Sequence, residues 1–545
     1  MSGEKKSKLS QEQIDLRKFH SLSDRHILIV ESNLTDINKT RPILNEADRV
    51  RKAGNELVGE MRKCYHQLMR TKKYRGLLKA YGKTKDKKKR KELANELNQM
   101  QENYNVTWEH CRKSMLRIAD KYNIHAVFKT TKAEDVWRAV EKCLYSDGKD
   151  IHFSKYEDMP CLRAKEIGRC IPIHIKDRKL YFEFKKQKIG LKIKDRFQQD
   201  EINAILNYMS QPEVIDKQAI ETLKEEAYCI DTFRPCYATL VPQYIRGRWR
   251  IFVHITIEGK AKRKYRKDGT PRHTFGKGII GNDIGTQTVA YTSQNEVGLV
   301  NLAERGQFTL KQERNERIIK RKMDRSRRAT NPDNYNEDGT IKKGKKTWKC
   351  SKHYKKLKAK YRESCRKTAL NRKYSNNELA NKMRALGDEL ITEPKNASKL
   401  MKRAKNTTKN KKGKFNRKKR FGKSIQKRCP GGYQATLKQK FTNTGGIYRE
   451  VDNSYRASQY DHTIDDYIKK KLSERMFKLK GTNDEVQRDW YSSFLLYCYD
   501  YKTGNIDKDK ANREFEKLYK QEQKYIDYII TNKIKILNSG IKTAA

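Results

Sequence analysis

Excess positive charge constrains this chain more than any other feature. Lysine and arginine number 125 against 67 aspartates and glutamates, a formal net charge of +58. A compact body with that excess repels itself unless a polyanion neutralises it. Nucleic acid is the polyanion that fits, because each phosphate met by Lys or Arg releases condensed counterions. Thirty Tyr, sixteen Phe and five Trp still provide large side chains for several cores. At 545 residues and roughly 150 residues per domain, three to four domains are expected. No run approaches the roughly 18 apolar residues of a membrane span, and Met1 to Gln13 lack a signal-peptide apolar core. The eleven cysteines are scattered without close CxxC pairs, which fits a reducing compartment. A cytoplasmic protein without a membrane partner is expected.

Periodicity divides the chain. Ile27 to Val30 reads as one strand, and from about 42 to 145 apolar residues recur at helical spacing, as at Leu57, Met61 and Cys64. KLYFEFKKQKIGLKIK (179–194) and RWRIFVHITIEG (248–259) alternate apolar and polar residues. With the strand near 27 they predict an antiparallel sheet or small barrel, interrupted after its first strand by the helical block. GIIGNDIGTQTVAYTS and EVGLVNLA (278–303) predict an alternating hairpin turning at Gln294-Asn295, followed by long charged helices over 309–328 and 352–386. Residues 402–428 carry fourteen Lys or Arg and no acid. Arg325, Arg327, Arg328 and the cluster Arg417, Lys418, Lys419 and Arg420 are candidate phosphate contacts. Solvated surface charge is the alternative for each of them.

Three acids stand out. Asp283 lies in an apolar strand between Gly281 and Gly285, where an ionised carboxylate is costly without a cation or partner. Glu393 follows the apolar strand end ELIT, and Asp489 precedes the helix carrying Trp490, Phe494 and Leu495. Each also has an ordinary explanation: a turn Asp, a helix first-turn Glu, and a helix N-terminal acid beside Arg488. Phosphodiester hydrolysis by two divalent ions needs such carboxylates held close together, and Mg²⁺ prefers oxygen donors.

In this order the three segments resemble a known family, the TnpB-type transposon-encoded RNA-guided nucleases and compact type V CRISPR effectors. GNDIGTQTVAYTS resembles the first RuvC motif, LGDELITEPKNASKL the second and VQRDWYSSFLL the third. QERNERIIKRKMDRSRRAT (312–330) is similar to the Arg-rich helix after the first motif. The resemblance implies a multidomain α+β protein, with a helical recognition domain inserted in a β-barrel-like wedge domain, followed by an RNase H-like (RuvC) α/β nuclease domain. The expected segments are 1–40 and 149–274 for the wedge, 41–148 for recognition, and 275–401 for RuvC motifs I and II. A basic target-loading lobe, 402–480, and motif III with the C-terminal helices, 481–545, complete them.

The resemblance further implies an RNA-guided DNA endonuclease in a prokaryotic, nucleoid-associated setting. Its partners would be a guide RNA and target double-stranded DNA. Asp283, Glu393 and Asp489 would be the catalytic residues, binding two Mg²⁺ ions. A catalytically silent RNA-guided repressor and an unguided RNase H-fold nuclease or transposase are the alternatives. Two departures stand out. The family's four-cysteine zinc ribbon has only Cys429 in its place at 428–462, and Tyr491 stands where the family commonly has Asn. Cys350 and His353 alone fall short of the four ligands structural zinc wants, so no zinc is predicted.

Overall fold

The structure is a computed structural model. It describes residues 25–542 apart from 147, 166–167, 169, 215, 217–232, 260–263, 267, 305–307, 402–421, 453–454, 456 and 471–472. The predicted cluster Arg417, Lys418, Lys419 and Arg420 lies outside the described residues. The chain forms two compact units, Met1–Lys262 and Arg263–Ala545.

The first unit begins with β1 (Arg25–Ser32). Five helices follow: α1 (Ile37–Arg70), α2 (Lys72–Lys83), α3 (Lys87–Asn103), α4 (Trp108–Lys121) and α5 (Ala126–Tyr145). The side chain of Asp36 caps α1 by accepting from the Asn38 amide, which satisfies one of the orphan donors of the first turn. Along α1, Ile43, Ala47, Val50, Leu57, Met61 and Leu68 are buried, spaced to give one apolar face. The chain then returns to the sheet in β2 (Leu162–Arg163), β3 (Ile173–Lys176), β4 (Lys179–Phe184) and β5 (Gln187–Lys192). Helix α6 (Arg196–Ser210) precedes the long pair β6 (Pro235–Ile245) and β7 (Arg248–Glu258).

The seven strands run in the order β2-β6-β7-β1-β5-β4-β3, every neighbouring pair antiparallel. The sheet curls into a half-barrel, and the five-helix block enters between β1 and β2 as the periodicity implied. Three of its hairpins turn on two residues with positive φ: Asp177-Arg178, Lys185-Lys186 and Arg246-Gly247. Such turns match the twist of the flanking strands.

In the second unit, β8 (Ile279–Ile284), β9 (Thr288–Ser293) and β10 (Val297–Asn301) form a meander. Helices α7 (Phe308–Thr330) and α8 (Lys352–Leu386) lead to β11 (Glu389–Thr392). Short α9 (Ala397–Met401) and α10 (Gly422–Arg428) follow, then α11 (Pro430–Thr442) and β12 (Ile447–Glu450). The sheet order is β10-β9-β8-β11-β12. The first three strands are antiparallel, whereas β8, β11 and β12 run parallel. Helices α12 (Arg488–Tyr497) and α13 (Lys508–Thr531) come last.

Two features of this sheet differ from expectation. The predicted alternation over 278–303 is absent: every residue of β9 is buried, as are five of the six in β8. The reason is that both faces are covered. On one side Ile280, Ile284 and Leu390 pack with Met383 of α8 and Tyr433, Leu437 and Phe441 of α11. On the other, Ile391 packs with Trp490, Phe494 and Leu495 of α12 and Phe515 of α13. Strands buried on both faces lose the polar half of the pattern. The second difference concerns the expected basic target-loading lobe, 402–480. Its described segment α11–β12 is built into this sheet and core, with β12 pairing along β11 from Glu389↔Ile447 to Thr392↔Glu450.

Candidate active site

The parallel pair β8–β11 sets the geometry. Its register places Asn282 opposite Thr392, and the Thr392 hydroxyl donates to the Asn282 carbonyl at 2.7 Å, locking that register. One residue beyond each partner come Asp283 and Glu393. Strand side chains alternate between faces, so Asp283 shares the face of Gly281, and Glu393 that of Ile391. This is the face on which α12 lies.

Gly281 explains how closely α12 approaches. A Cβ there would stand 2.0 Å from the Ser493 carbonyl oxygen and 2.3 Å from the Tyr497 nitrogen. Only glycine permits helix and strand backbones to meet this way. Ser493 is fully buried, and its hydroxyl lies 2.8 Å from that of Thr292 on β9. One helical turn before Ser493 is Asp489, in the first turn of α12 rather than ahead of the helix as expected. The Gln487 side chain caps this end by accepting from the Trp490 amide at 2.7 Å.

The three acids thus come to one face at the carboxyl ends of β8 and β11. Crevices at strand carboxyl ends, where the connections diverge to either side, are recurrent ligand positions in open sheets. Their charges influence one another. Burial and then the neighbouring Asp283 carboxylate push Glu393 up to about 7. Burial and then Asp283 also raise Asp489, although Arg488 and Arg475 oppose the shift. Asp283 is 7% exposed.

Each acid has a cationic partner. The Lys395 ammonium donates to Asp283 Oδ1 at 2.6 Å and lies 3.7 Å from Glu393 Oε2. Burial works against that ammonium, but the carboxylates of Asp283 and Glu393 outweigh it and hold its pKa above the ordinary lysine value. Asp489 is paired by Arg475 at 3.3 Å and by Arg488 at 3.2 Å. Its ordinary explanation, a helix N-terminal acid beside Arg488, therefore describes part of its surroundings.

Lys395 and Arg475 are the residues that sequence reasoning missed. The first had a signal, since it stands two residues after Glu393 in the loop leaving the strand. Arg475 had none; it reaches Asp489 through the pairing of Met476–Lys478 with Glu485–Gln487.

Three carboxylates offer the hard oxygen donors suited to Mg²⁺, and the Lys395 ammonium already stands as a cation between two of them. In kind, the donor set fits divalent ions. Among the described residues no three His, Cys, Asp or Glu side chains are gathered closely enough to hold a metal ion as they stand.

The candidate phosphate contacts differ in setting. Arg325 is exposed. Arg327 donates to the Tyr335 hydroxyl at 3.0 Å and lies over the Trp348 ring, 5.0 Å from its centroid. Arg328 lies over Tyr335 at 5.6 Å. In the first unit, a cavity of about 790 Å³ is lined by Lys176, Arg178, Lys179, Lys188 and Tyr181. That lining combines cations with an aromatic surface.

No family model matches the chain, and no curated protein does. Among solved structures, the chain has neighbours at low identity that include Cas12 complexes with guide RNA or DNA. One is a Cas12f1–sgRNA–target DNA complex, at 10% identity and TM-score 0.40, covering 88% of this chain and 99% of that one. Another is a Cas12i–crRNA–dsDNA complex, at 11% identity and TM-score 0.24, covering 78% and 57%. A third is a Cas12i1 R-loop complex before target DNA cleavage, at 11% identity and TM-score 0.25, covering 75% and 53%. No helix among the described residues is long and apolar enough to cross a membrane.

Proposed function

We propose that this chain is an RNA-guided DNA endonuclease whose second unit hydrolyses phosphodiester bonds at Asp283, Glu393 and Asp489. The observation carrying this reading is the meeting of those three acids, 110 and 96 residues apart in the chain, on one face at the carboxyl ends of adjacent parallel strands. Such a concentration of carboxylates is costly in a buried setting unless cations complete it, a part that Lys395, Arg475 and Arg488 fill here. Divalent ions bound there would activate a water and stabilise the departing oxygen. The chain's own part is to hold the carboxylates: β8 and β11 fix Asp283 and Glu393 side by side, and the close seat of α12 at Gly281 brings Asp489 over them. The net charge of +58 gives the surface a general affinity for phosphate backbones. Sequence choice would come from guide pairing, with the protein reading shape and a short flanking motif.

Sequencing the RNA that co-purifies with the protein tests the guided part; a defined scaffold-plus-spacer species is expected, and random cellular fragments refute it. Asp283→Asn tests the chemistry. Loss of several kcal/mol of transition-state stabilisation corresponds to at least a ~1,000-fold fall in cleavage, with nucleic-acid binding retained. Unchanged cleavage by this variant excludes the assignment. The Lys395–Asp283 contact favours one other reading, a guided but silent DNA binder. That reading gains if the wild-type protein binds guide and target yet never cuts in Mg²⁺ or Mn²⁺.

A further inference from the structure

The three-carboxylate face is balanced by residues of this chain. Lys395 serves Asp283 and Glu393, and Arg475 and Arg488 serve Asp489, so three carboxyl groups face three cationic side chains. The two arginines approach Asp489 from the hairpin and from its own helix. Lys395 is placed differently: its ammonium lies between the two strand-end acids, against Asp283 Oδ1. An oxygen closely engaged by an ammonium offers less to a second cation, and two positive charges at such a separation repel each other. Cation binding at Asp283 and the Lys395 contact therefore compete.

Lys395 also has somewhere to go. Its side chain retains 25% of its surface, and it lines a solvent-open cleft of about 680 Å³ beside the acids, together with Gln434, Lys438, Tyr448 and Glu450. Gln434 donates to Glu450 Oε1 at 3.3 Å, and the Lys438 ammonium lies over the Tyr448 ring at 5.9 Å. Two lysines on this wall, with Glu450 already accepting bonds from Gln434 and Tyr448, make the cleft attractive to a phosphate group. Lys395 both pairs with Asp283 and lines the cleft, so its flexible side chain can exchange a carboxylate for a phosphate.

We infer that Lys395 is an internal counter-ion that occupies the cation position between Asp283 and Glu393 and is drawn into the neighbouring cleft by a nucleic-acid phosphate. Tight uptake of divalent ions is thereby coupled to the arrival of a strand. A protein lacking bound strand keeps its acids neutralised by its own lysine and gains little from free metal. Once a phosphate pairs with Lys395, the carboxylates are left without that counter-ion and open to a divalent cation, and the same lysine becomes a positioning residue for the strand. This inference rests on the proposed nuclease site.

Titration of the full-length protein with Mn²⁺, read by electron paramagnetic resonance, tests it. Wild type, Lys395→Met and Lys395→Arg are compared with and without a short single-stranded oligothymidylate, and Asp283→Asn supplies the background. Lys395→Gln is a second neutral variant should the methionine protein fail to fold. Without the strand, the Asp283-dependent binding is expected to be at least about ten-fold tighter in the neutral variants than in wild type, with Lys395→Arg behaving as wild type. Adding the strand should tighten wild type by a comparable factor and the neutral variants little. Neutral variants that bind Mn²⁺ no more tightly than wild type overturn the role of Lys395 while leaving the metal site standing. Absence of any Asp283-dependent binding, in every variant and with the strand present, overturns the site itself and the inference with it.

Discussion

Glu522 lies on α13 with 2% of its surface exposed. Its Oε1 accepts from the Gln487 amide at 2.9 Å, and Oε2 accepts from the Gln523 side chain at 3.2 Å. Gln487 caps α12, so this buried acid steadies the end of the helix on which Asp489 sits. Burial pushes Glu522 from 4.5 up to about 8, and its two hydrogen bonds recover only part of that cost. The sign follows from proton binding. Below about pH 4.5 folded and unfolded chains both hold the proton, and the group makes no difference. Between 4.5 and 8 the unfolded chain ionises while the folded one stays protonated, so stability falls as pH rises. At about 1.4 kcal/mol per pH unit, the loss by pH 7 reaches at most about 3.5 kcal/mol. Glu522→Gln keeps an acceptor for the Gln487 amide and removes the titration. Calorimetric melting at pH 5 and pH 7 is the assay. At roughly 2 °C per kcal/mol for a unit of this size, the variant should melt up to about 7 °C above wild type at pH 7 and only slightly above it at pH 5. Equal melting temperatures at pH 7, or a gain of the same size at both pH values, would refute the reasoning.

Gly281→Ala should lower stability by about 1–3 kcal/mol, because the added methyl meets the backbone of α12 rather than a side chain that can move; cleavage should fall with it as Asp489 shifts, and an unchanged melting temperature would show that the helix can retreat freely. Arg327→Ala removes the bond to Tyr335 and the contact over Trp348, and should cost about 1–2 kcal/mol of stability. Arg325→Ala leaves stability unchanged and, if Arg325 meets a phosphate, lowers the slope of log affinity against log salt by about one; a slope identical to wild type would return Arg325 to ordinary surface charge.

Regular burial patterns were readable in the sequence, and the exceptions have identifiable causes. The helical block of the first unit showed a single apolar face because its helices pack on one side, as Leu57 and Met61 illustrate. The hairpin at 179–194 was harder to resolve, since its turn uses Lys185-Lys186 with φ of 50° and 63° where Asn-Gly would have announced it. β12 escaped notice for a different reason. IYRE is a four-residue edge strand without a buried residue, so it carries neither alternation nor an apolar run; only its pairing with β11 reveals it. The alternation expected for β8 and β9 failed because helices cover both faces, which a one-dimensional pattern cannot distinguish from other continuous burial.

The acids of the candidate site could be picked out singly, because a carboxylate in an apolar stretch is unusual, but their meeting depends on features that sequence spacing does not encode. Asp283 and Glu393 become neighbours through a parallel pairing whose connection passes through α7 and α8, and the Thr392 hydroxyl fixes the register that sets them side by side. Asp489 joins them because one missing Cβ, at Gly281, lets α12 press against the strand. Cationic partners are still less legible. In a chain with 125 lysines and arginines, nothing beyond the place of Lys395 two residues after Glu393 separates it or Arg475 from residues that face solvent. What singles them out is energetic: buried carboxylates require compensation, and a chain so rich in positive charge can supply it internally. On the proposed function, the same excess that would draw a nucleic acid to the surface also places cations against the three acids, and a strand's phosphates would be the natural competitor for those cations. On this view the basic composition acts twice, once in attracting the polyanion and once in holding Asp283 and Glu393 neutralised until it arrives.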